Sequence, residues 1–556
     1  MNNSIKTILL YLFFSVLMLN ALNGQDIEKI INAKPFDFGG SITGKVGFAS
    51  INGTDQRAAP YYYGFNARLK LSFYSFNVPL YVSFRDNGLR YGRNFPRLKI
   101  SPKYKWASMQ IGDVYTQFNP YVLDNRNMRG AAIKLTPGKF RFQALYGRMK
   151  ELNSFRDTLQ LGVENFESYS RKIAGLGLGV GSSRSYVDLY LLRSWDDEIE
   201  EFYTERDANQ QSNTVVGLST RLRLFKRLSF ETNVGLSALT QNVNTPGEIE
   251  TLVENGLTGS LAEVNASTNI NFAGDVSLSY RYRKLGLSLR TRYIQPHYQP
   301  LTVAYINTDL LDYTIGANIS LFKNKLFLNG RLGIQENNLS KQDAVTTKRV
   351  IYNVVATGKL SKALTANLVI ANFSNQLQAS SITVNELFTY SVTNNATNMS
   401  LRYRKSNEDG ITASVKAGRS NFTIVSDNEV NNTYSSIFLR SDLGYNWESI
   451  GAQAELGLGY TKYNREEINS NTYTVSARAS KNVYKDLISL NFDSRFTLID
   501  LIEFREGTNW LNQVNANYKL TEKSAFSLYV GHINRVSYIN PRFQEIRSSL
   551  SYRLSF

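Results

Sequence analysis

Apolar and polar side chains alternate with a period of two in segment after segment of this chain, and that recurrence limits the fold more than any other feature. Val216, Leu218, Thr220, Leu222 and Leu224 alternate with Gly217, Ser219, Arg221 and Arg223. Val276, Leu278, Tyr280 and Tyr282 alternate with Ser277, Ser279, Arg281 and Arg283, and their neighbours Leu287, Leu289 and Tyr293 with Gly286, Ser288, Arg290 and Arg292. Met399, Leu401 and Tyr403 alternate with Arg402 and Arg404. Successive side chains of a strand point to opposite faces, so each segment reads as a strand with one greasy and one wet face.

The connections between segments are unequal. Short turns stand at 136–139, 181–184, 225–227, 284–286, 323–325, 361–362, 406–410, 448–449, 484–486 and 521–523, rich in Gly, Lys, Asn, Ser and Asp. Between them lie longer polar stretches at 151–170, 195–212, 241–264, 296–309, 335–347, 374–386, 421–432 and 534–542. Hairpins that are tight at one end and loose at the other predict an all-β fold: a single large transmembrane antiparallel β-barrel of about 20–26 strands, with short periplasmic turns and long extracellular loops. A soluble β-sandwich array predicts the same alternation but not the one-sided loop lengths. Tyr280, Tyr282, Tyr403, Tyr445, Trp447, Tyr518 and Tyr552 fall near predicted short turns or the C-terminus, as an aromatic girdle at a membrane interface would.

Composition supports one barrel rather than several domains. No Pro- or Ser-rich hinge divides the 556 residues, which include only 11 Pro. The absence of Cys excludes disulfides, thiol catalysis and thiolate metal sites. Lys6 followed by the apolar run Ile8–Leu22 and then Gly24 predicts a secretory signal peptide at 1–24. A short periplasmic lead is expected at 25–37 and the barrel at 38–556. The formal charge of +17 would suggest nucleic acid in a cytosolic protein. In an exported barrel it points to lipid phosphates and anionic solutes, and nucleic acid is not expected as a partner.

The final segment, QEIRSSLSYRLSF, sets Ile546, Leu550, Tyr552, Leu554 and Phe556 against Arg547, Ser549, Ser551, Arg553 and Ser555. Tyr552, Leu554 and Phe556 resemble the C-terminal signal of bacterial outer-membrane β-barrel proteins, which ends on Phe after alternating hydrophobic positions. The resemblance implies a Gram-negative cell outer membrane, contact with its lipid and recognition by the barrel-insertion machinery. TonB-dependent receptors resemble the chain in the barrel alone, since the expected lead is too short for their plug domain.

The candidate functional face is the wet one. Arg221, Arg223, Arg281, Arg283, Arg290, Arg292, Arg402, Arg404 and Arg553 all take the polar side of predicted strands. They could form a basic, anion-favouring lumen wall, or an ordinary solvated wall paired with acids such as Glu231, Asp275, Asp442 and Glu455. The acidic stretch WDDEIEEFYTERD at 195–207 lacks the spacing and turning Gly of a calcium loop. The only histidines, His297 and His532, have no nucleophile motif beside them. No enzymatic activity, catalytic residue, metal site or cofactor is therefore expected.

A lumen of this width must be filled by loops, by the N-terminal lead or by a partner. The expected function is a channel or transport-type, porin-like barrel, anion-leaning and occluded by loops or a partner. The alternative is a scaffold or accessory barrel, with an outer-membrane or periplasmic protein partner, in a secretion, assembly or glycan-handling complex.

Overall fold

The chain closes on itself as an antiparallel barrel. The computed structural model describes residues 36–54, 60–74, 76–86, 97–150, 170–197, 209–247, 264–340, 348–377, 390–405, 409–426, 432–464, 469–501, 505–537 and 542–556. The expected signal peptide, nearly all of the expected lead and the acidic run 198–207 lie outside them.

Sequence neighbours pair as antiparallel hairpins all the way round, from Phe36–Asn52 and Tyr61–Phe73 to Ser524–Ser537 and Phe543–Ser555. There are 26 staves. One of them is broken into Arg97–Ile100 and Lys103–Tyr104, and both pieces pair with the same two neighbours. Pro102 interrupts it, because proline has no N–H to give the ladder. The Pro102 carbonyl still accepts from Met109 N at 2.9 Å.

Closure is made by the segment carrying the terminal Phe. Phe543–Ser555 pairs with Phe36–Asn52, placing Leu554 opposite Ile42 and Tyr552 opposite Gly44. Phe556 exchanges both backbone hydrogen bonds with Gly40, at 2.9 and 3.0 Å, and its ring lies 4.8 Å from that of Phe38. The first strand begins at Phe36, two residues before the expected start of the sheet. With the first and last strands paired, no described strand is left as a free sheet edge.

The barrel is built inside out relative to a soluble protein. Leu443, Leu456 and Leu458 point outward and are more than 60% exposed, and exposed apolar side chains recur around the whole circumference. Their polar alternates turn inward. At the short-turn end aromatic rings gather in pairs, among them Tyr445, Trp447 and Tyr552 of the expected set. Tyr445 lies 4.8 Å from Trp447 and Phe526 4.8 Å from Tyr552, while Phe36 pairs with Phe73 and Phe76 with Tyr104.

Large buried apolar side chains are confined to one arc of the wall. They run from Val114 to Leu310, and across the remaining described strands only Ala49, Ala67 and Ala371 are buried and apolar.

Candidate functional site in the lumen

Two connections at the long-loop end fold inward onto that arc. The first, 116–126, joins Ala107–Tyr115 to Asn127–Leu135; the second, 295–309, joins Leu285–Ile294 to Leu310–Leu321. Register explains where they rest. Gly177, Tyr190, Gly217, Gly235, Ala273, Ile294 and Leu310 form one transverse row across seven neighbouring strands. Four of the seven are Gly or Ala, so the wall is shallow there and backbone can approach it.

The first loop fills this depression. Phe118 stacks on Tyr190 with ring centroids 4.8 Å apart, and a Cβ on Gly175 would stand 3.0 Å from the Phe118 ring. A Cβ on Gly217 would stand 2.2 Å from Val122 Cγ2, and one on Gly235 would stand 2.8 Å from Tyr121 Cβ and 2.4 Å from the Tyr298 hydroxyl. A side chain at Gly217 or Gly235 would force the loop to shift, and one at Gly175 would press on the Phe118 ring. Phe118, Val122 and Leu123 join Leu145, Ile173, Leu192 and Val215 in one dry cluster. Tyr121 and Tyr298 join Ala273, Ile294 and Leu310 in a second.

Buried backbone in a loop must find hydrogen-bond partners, and here the two loops and the wall supply them. Asn119 Nδ2 donates to the carbonyls of Leu218 and Val234, while its Oδ1 accepts from Tyr121 N at 2.9 Å. Tyr298 Oη donates to the Tyr121 carbonyl at 2.6 Å, and Thr302 Oγ1 to that of Val122. Ala304 N donates to the Asp124 carbonyl at 3.1 Å, and Arg126 to that of Val303. Asn213, on the wall, accepts from Leu301 N at 3.1 Å. Burial raises the pKa of both the Tyr121 and the Tyr298 hydroxyls well above the usual phenol range, so both stay protonated.

The predicted basic residues separate into distinct environments. Arg221 pairs with Glu231 at 2.9 Å, Arg290 with Asp275 at 3.3 Å and Arg292 with Asp312, where Nε stands 2.8 Å away. Asp442 pairs with Arg440 and Glu455 with Arg478, so all four acids named from the sequence are engaged by arginines. Arg223 and Arg281 line a cavity together with Glu231 and Asp275 and make no ion pair of their own among the described residues. Arg402, Arg404 and Arg553 are exposed and likewise make no ion pair among them. Arg283 departs from expectation. The strand ends at Tyr282, and Arg283 sits in the turn at φ 50° with its guanidinium over the Tyr282 ring. The hairpin is tighter than the sequence spacing implied, because Leu285 already pairs with Tyr282.

Asp196 and Asp197, the only two acids of the 195–207 stretch within the described residues, are held by Arg171 and Lys172 at 2.7 and 2.8 Å. His297 lies in the second inward loop at φ 59°, and its carbonyl accepts from Asn271. His532 is a wall residue between Asn512 and Ile546. The seat of the loops had not been singled out in the sequence. Its signal is the run GLGLGVG at 175–181, which puts Gly at four successive inward positions of one strand.

No family model matches the chain, and no curated protein matches its sequence. Among solved structures, the fold is similar to that of the FrpB iron transporter from Neisseria meningitidis, at 10% identity and a TM-score of 0.42, covering 95% of this chain and 83% of that one. The copper transporter OprC is similar at 8% identity and 0.41, covering 94% of this chain and 81% of that one. The translocation pore of the P pilus usher PapC is similar at 8% and 0.39, covering 93% and 99%.

Proposed function

We propose that the chain is a transport-type barrel of the bacterial outer membrane whose lumen is narrowed by loops 116–126 and 295–309. The observation that carries this reading is the pairing of an apolar exterior with loops seated on the inner wall. An exterior on which Leu443, Leu456 and Leu458 are exposed is stable in hydrocarbon and aggregation-prone in water. The loops then occupy space that a solute would otherwise cross.

In this reading the short turns face the periplasm and the long loops the cell exterior. The run 1–24 directs export, and Tyr552, Leu554 and Phe556 present the last strand to the insertion machinery. The protein acts without catalysis. Passage favours anions where Arg223 and Arg281 face the lumen without carboxylate partners.

Two measurements test the reading. Gly138→Cys and Lys323→Cys should be labelled by an impermeant thiol reagent only after the outer membrane is broken, and Asn244→Cys on intact cells. Equal labelling of the two sets would overturn the barrel's orientation. In planar bilayers the wild type should give small, discrete conductance steps. A complete absence of conductance, with another membrane protein co-purifying in mild detergent, would replace transport by the accessory-barrel reading.

A further inference from the structure

A second transverse row lies about 20 Å from the loop seat, six residues nearer the short-turn end. In it Arg223, Ser229, Ser279, Ser288, Gly316 and Arg331 stand side by side across six strands. Four small residues therefore make a floor between two arginines. Arg281 borders that floor on the short-turn side and Arg290 on the other. The result is a cavity of about 590 Å³, within the roughly 300–1,000 Å³ range of small-molecule sites.

Its charge is unbalanced. Six basic side chains line it against two carboxylates, Glu231 and Asp275. Those two are already engaged by Arg221 and Arg290. Arg223, Arg281 and Arg331 make no ion pair among the described residues, so three arginines without a carboxylate partner line a volume floored by hydroxyls. Guanidinium forks match phosphate oxygens in geometry and charge, and serine hydroxyls with Asn233 and Asn318 can both donate to and accept from a polyol.

From this arrangement we infer that the cavity is a binding site for a phosphorylated, hydroxyl-rich solute of sugar-phosphate size. The uncompensated charge of Arg223, Arg281 and Arg331 attracts the phosphate, Arg281 beside the floor being placed to bond it, and the serine floor reads the hydroxyls. The inference deepens the transport reading by naming the class of cargo, but binding itself does not require an open pore.

The test is equilibrium dialysis of the full detergent-solubilised protein against radiolabelled glucose 6-phosphate at low and high salt. One saturable site per chain is expected, weakened by salt. The triple variant Arg223→Gln, Arg281→Gln, Arg331→Gln should lose affinity by roughly tenfold or more. Arg402→Gln with Arg404→Gln, whose arginines lie outside the cavity, should bind as the wild type does. Heat-dependent gel migration checks that each variant still forms the barrel. No saturable binding, or equal loss in both variants, would overturn the site. Inorganic phosphate binding as tightly as glucose 6-phosphate would overturn the hydroxyl-reading floor and with it the solute class. Failure of conductance alongside intact binding would count against transport and leave the site standing.

Discussion

The two arcs of this barrel solve different problems with the same hairpin. From Ala107 to Leu321 the inner wall turns apolar toward the long-loop end, and loops 116–126 and 295–309 are packed onto it. From Leu326 to Ser555 the inner wall stays polar. Arg440 bonds Asp442 and Ser476, and Arg478 sits between Glu455 and Asp493 at 2.7 and 2.8 Å. The outer faces of both arcs carry exposed apolar side chains. What distinguishes them is whether the inward positions are small and dry or charged and wet. Dry contact fixes a loop in one position, whereas the charged side chains of the second arc are engaged with one another along the wall.

The largest effect should come from filling the seat. Gly217→Leu places atoms where Val122 lies, and overpacking of this kind costs roughly 1–3 kcal/mol. Loop 116–126 is expected to leave the wall, and single-channel conductance to rise severalfold. On the wet arc, Gly459→Ala meets only ordinary contact with Thr474 at 3.5 Å and should change nothing. If both variants conducted alike, the contrast between the arcs would have no functional content.

Removing the anchor rather than the seat comes next. Phe118→Ala forfeits the stack on Tyr190, and truncation of a buried Phe costs about 3–5 kcal/mol. Part of that cost falls on the whole fold, so a smaller rise in conductance is expected than for Gly217→Leu, together with protease cleavage within 116–126. Leu456→Ala, facing outward on the wet arc, should leave the loop protected.

A milder change is Tyr298→Phe, which deletes the bond to the Tyr121 carbonyl and should cost about 1 kcal/mol. It also tests the sign of the pH dependence. A phenol whose folded pKa is raised keeps its contribution below the unfolded value of about 10 and loses it progressively as pH rises above that. Wild-type conductance should therefore increase in strongly alkaline solution, and Tyr298→Phe should blunt that increase.

The smallest effect on stability is expected from Arg478→Gln. Its ion pairs are partly solvated, and such pairs contribute on the order of 0–1 kcal/mol. The variant should fold normally while its reversal potential in a salt gradient moves toward cation preference, because Glu455 and Asp493 lose their counter-charge. Anion selectivity that survived the change would place the selective groups elsewhere in the lumen.

Much of the fold was legible in the primary structure. The alternation at 216–224 and 276–282 sorts every side chain to a face, and a strand's period of two leaves no other assignment. The upper strand count of about 26 agrees with the structure, even through the weakly patterned region before residue 130. The turns were less secure. Arg283 reads as a wall residue by alternation, and only the early start of the next strand moves it into the turn. The candidate site was legible in part. Arg221 and Glu231 are separated by a single hairpin, so their pairing follows from register. The contact of Phe118 with Tyr190, of Val122 with Gly217, and of Thr302 with Val122 joins residues that no local pattern relates.

The sequence by itself determined which face of each strand is greasy, where the hairpins are tight and which strand ends the chain, because these depend on steric rules that act over a few residues. Only the tertiary structure decided that 116–126 and 295–309 turn inward, that Gly177, Gly217 and Gly235 align to receive them, and that Arg223 and Arg331 flank one serine floor. Each of these depends on the register of several strands at once. Register accumulates across the sheet, so a row of residues distant in sequence becomes a site only when every hairpin between them has closed.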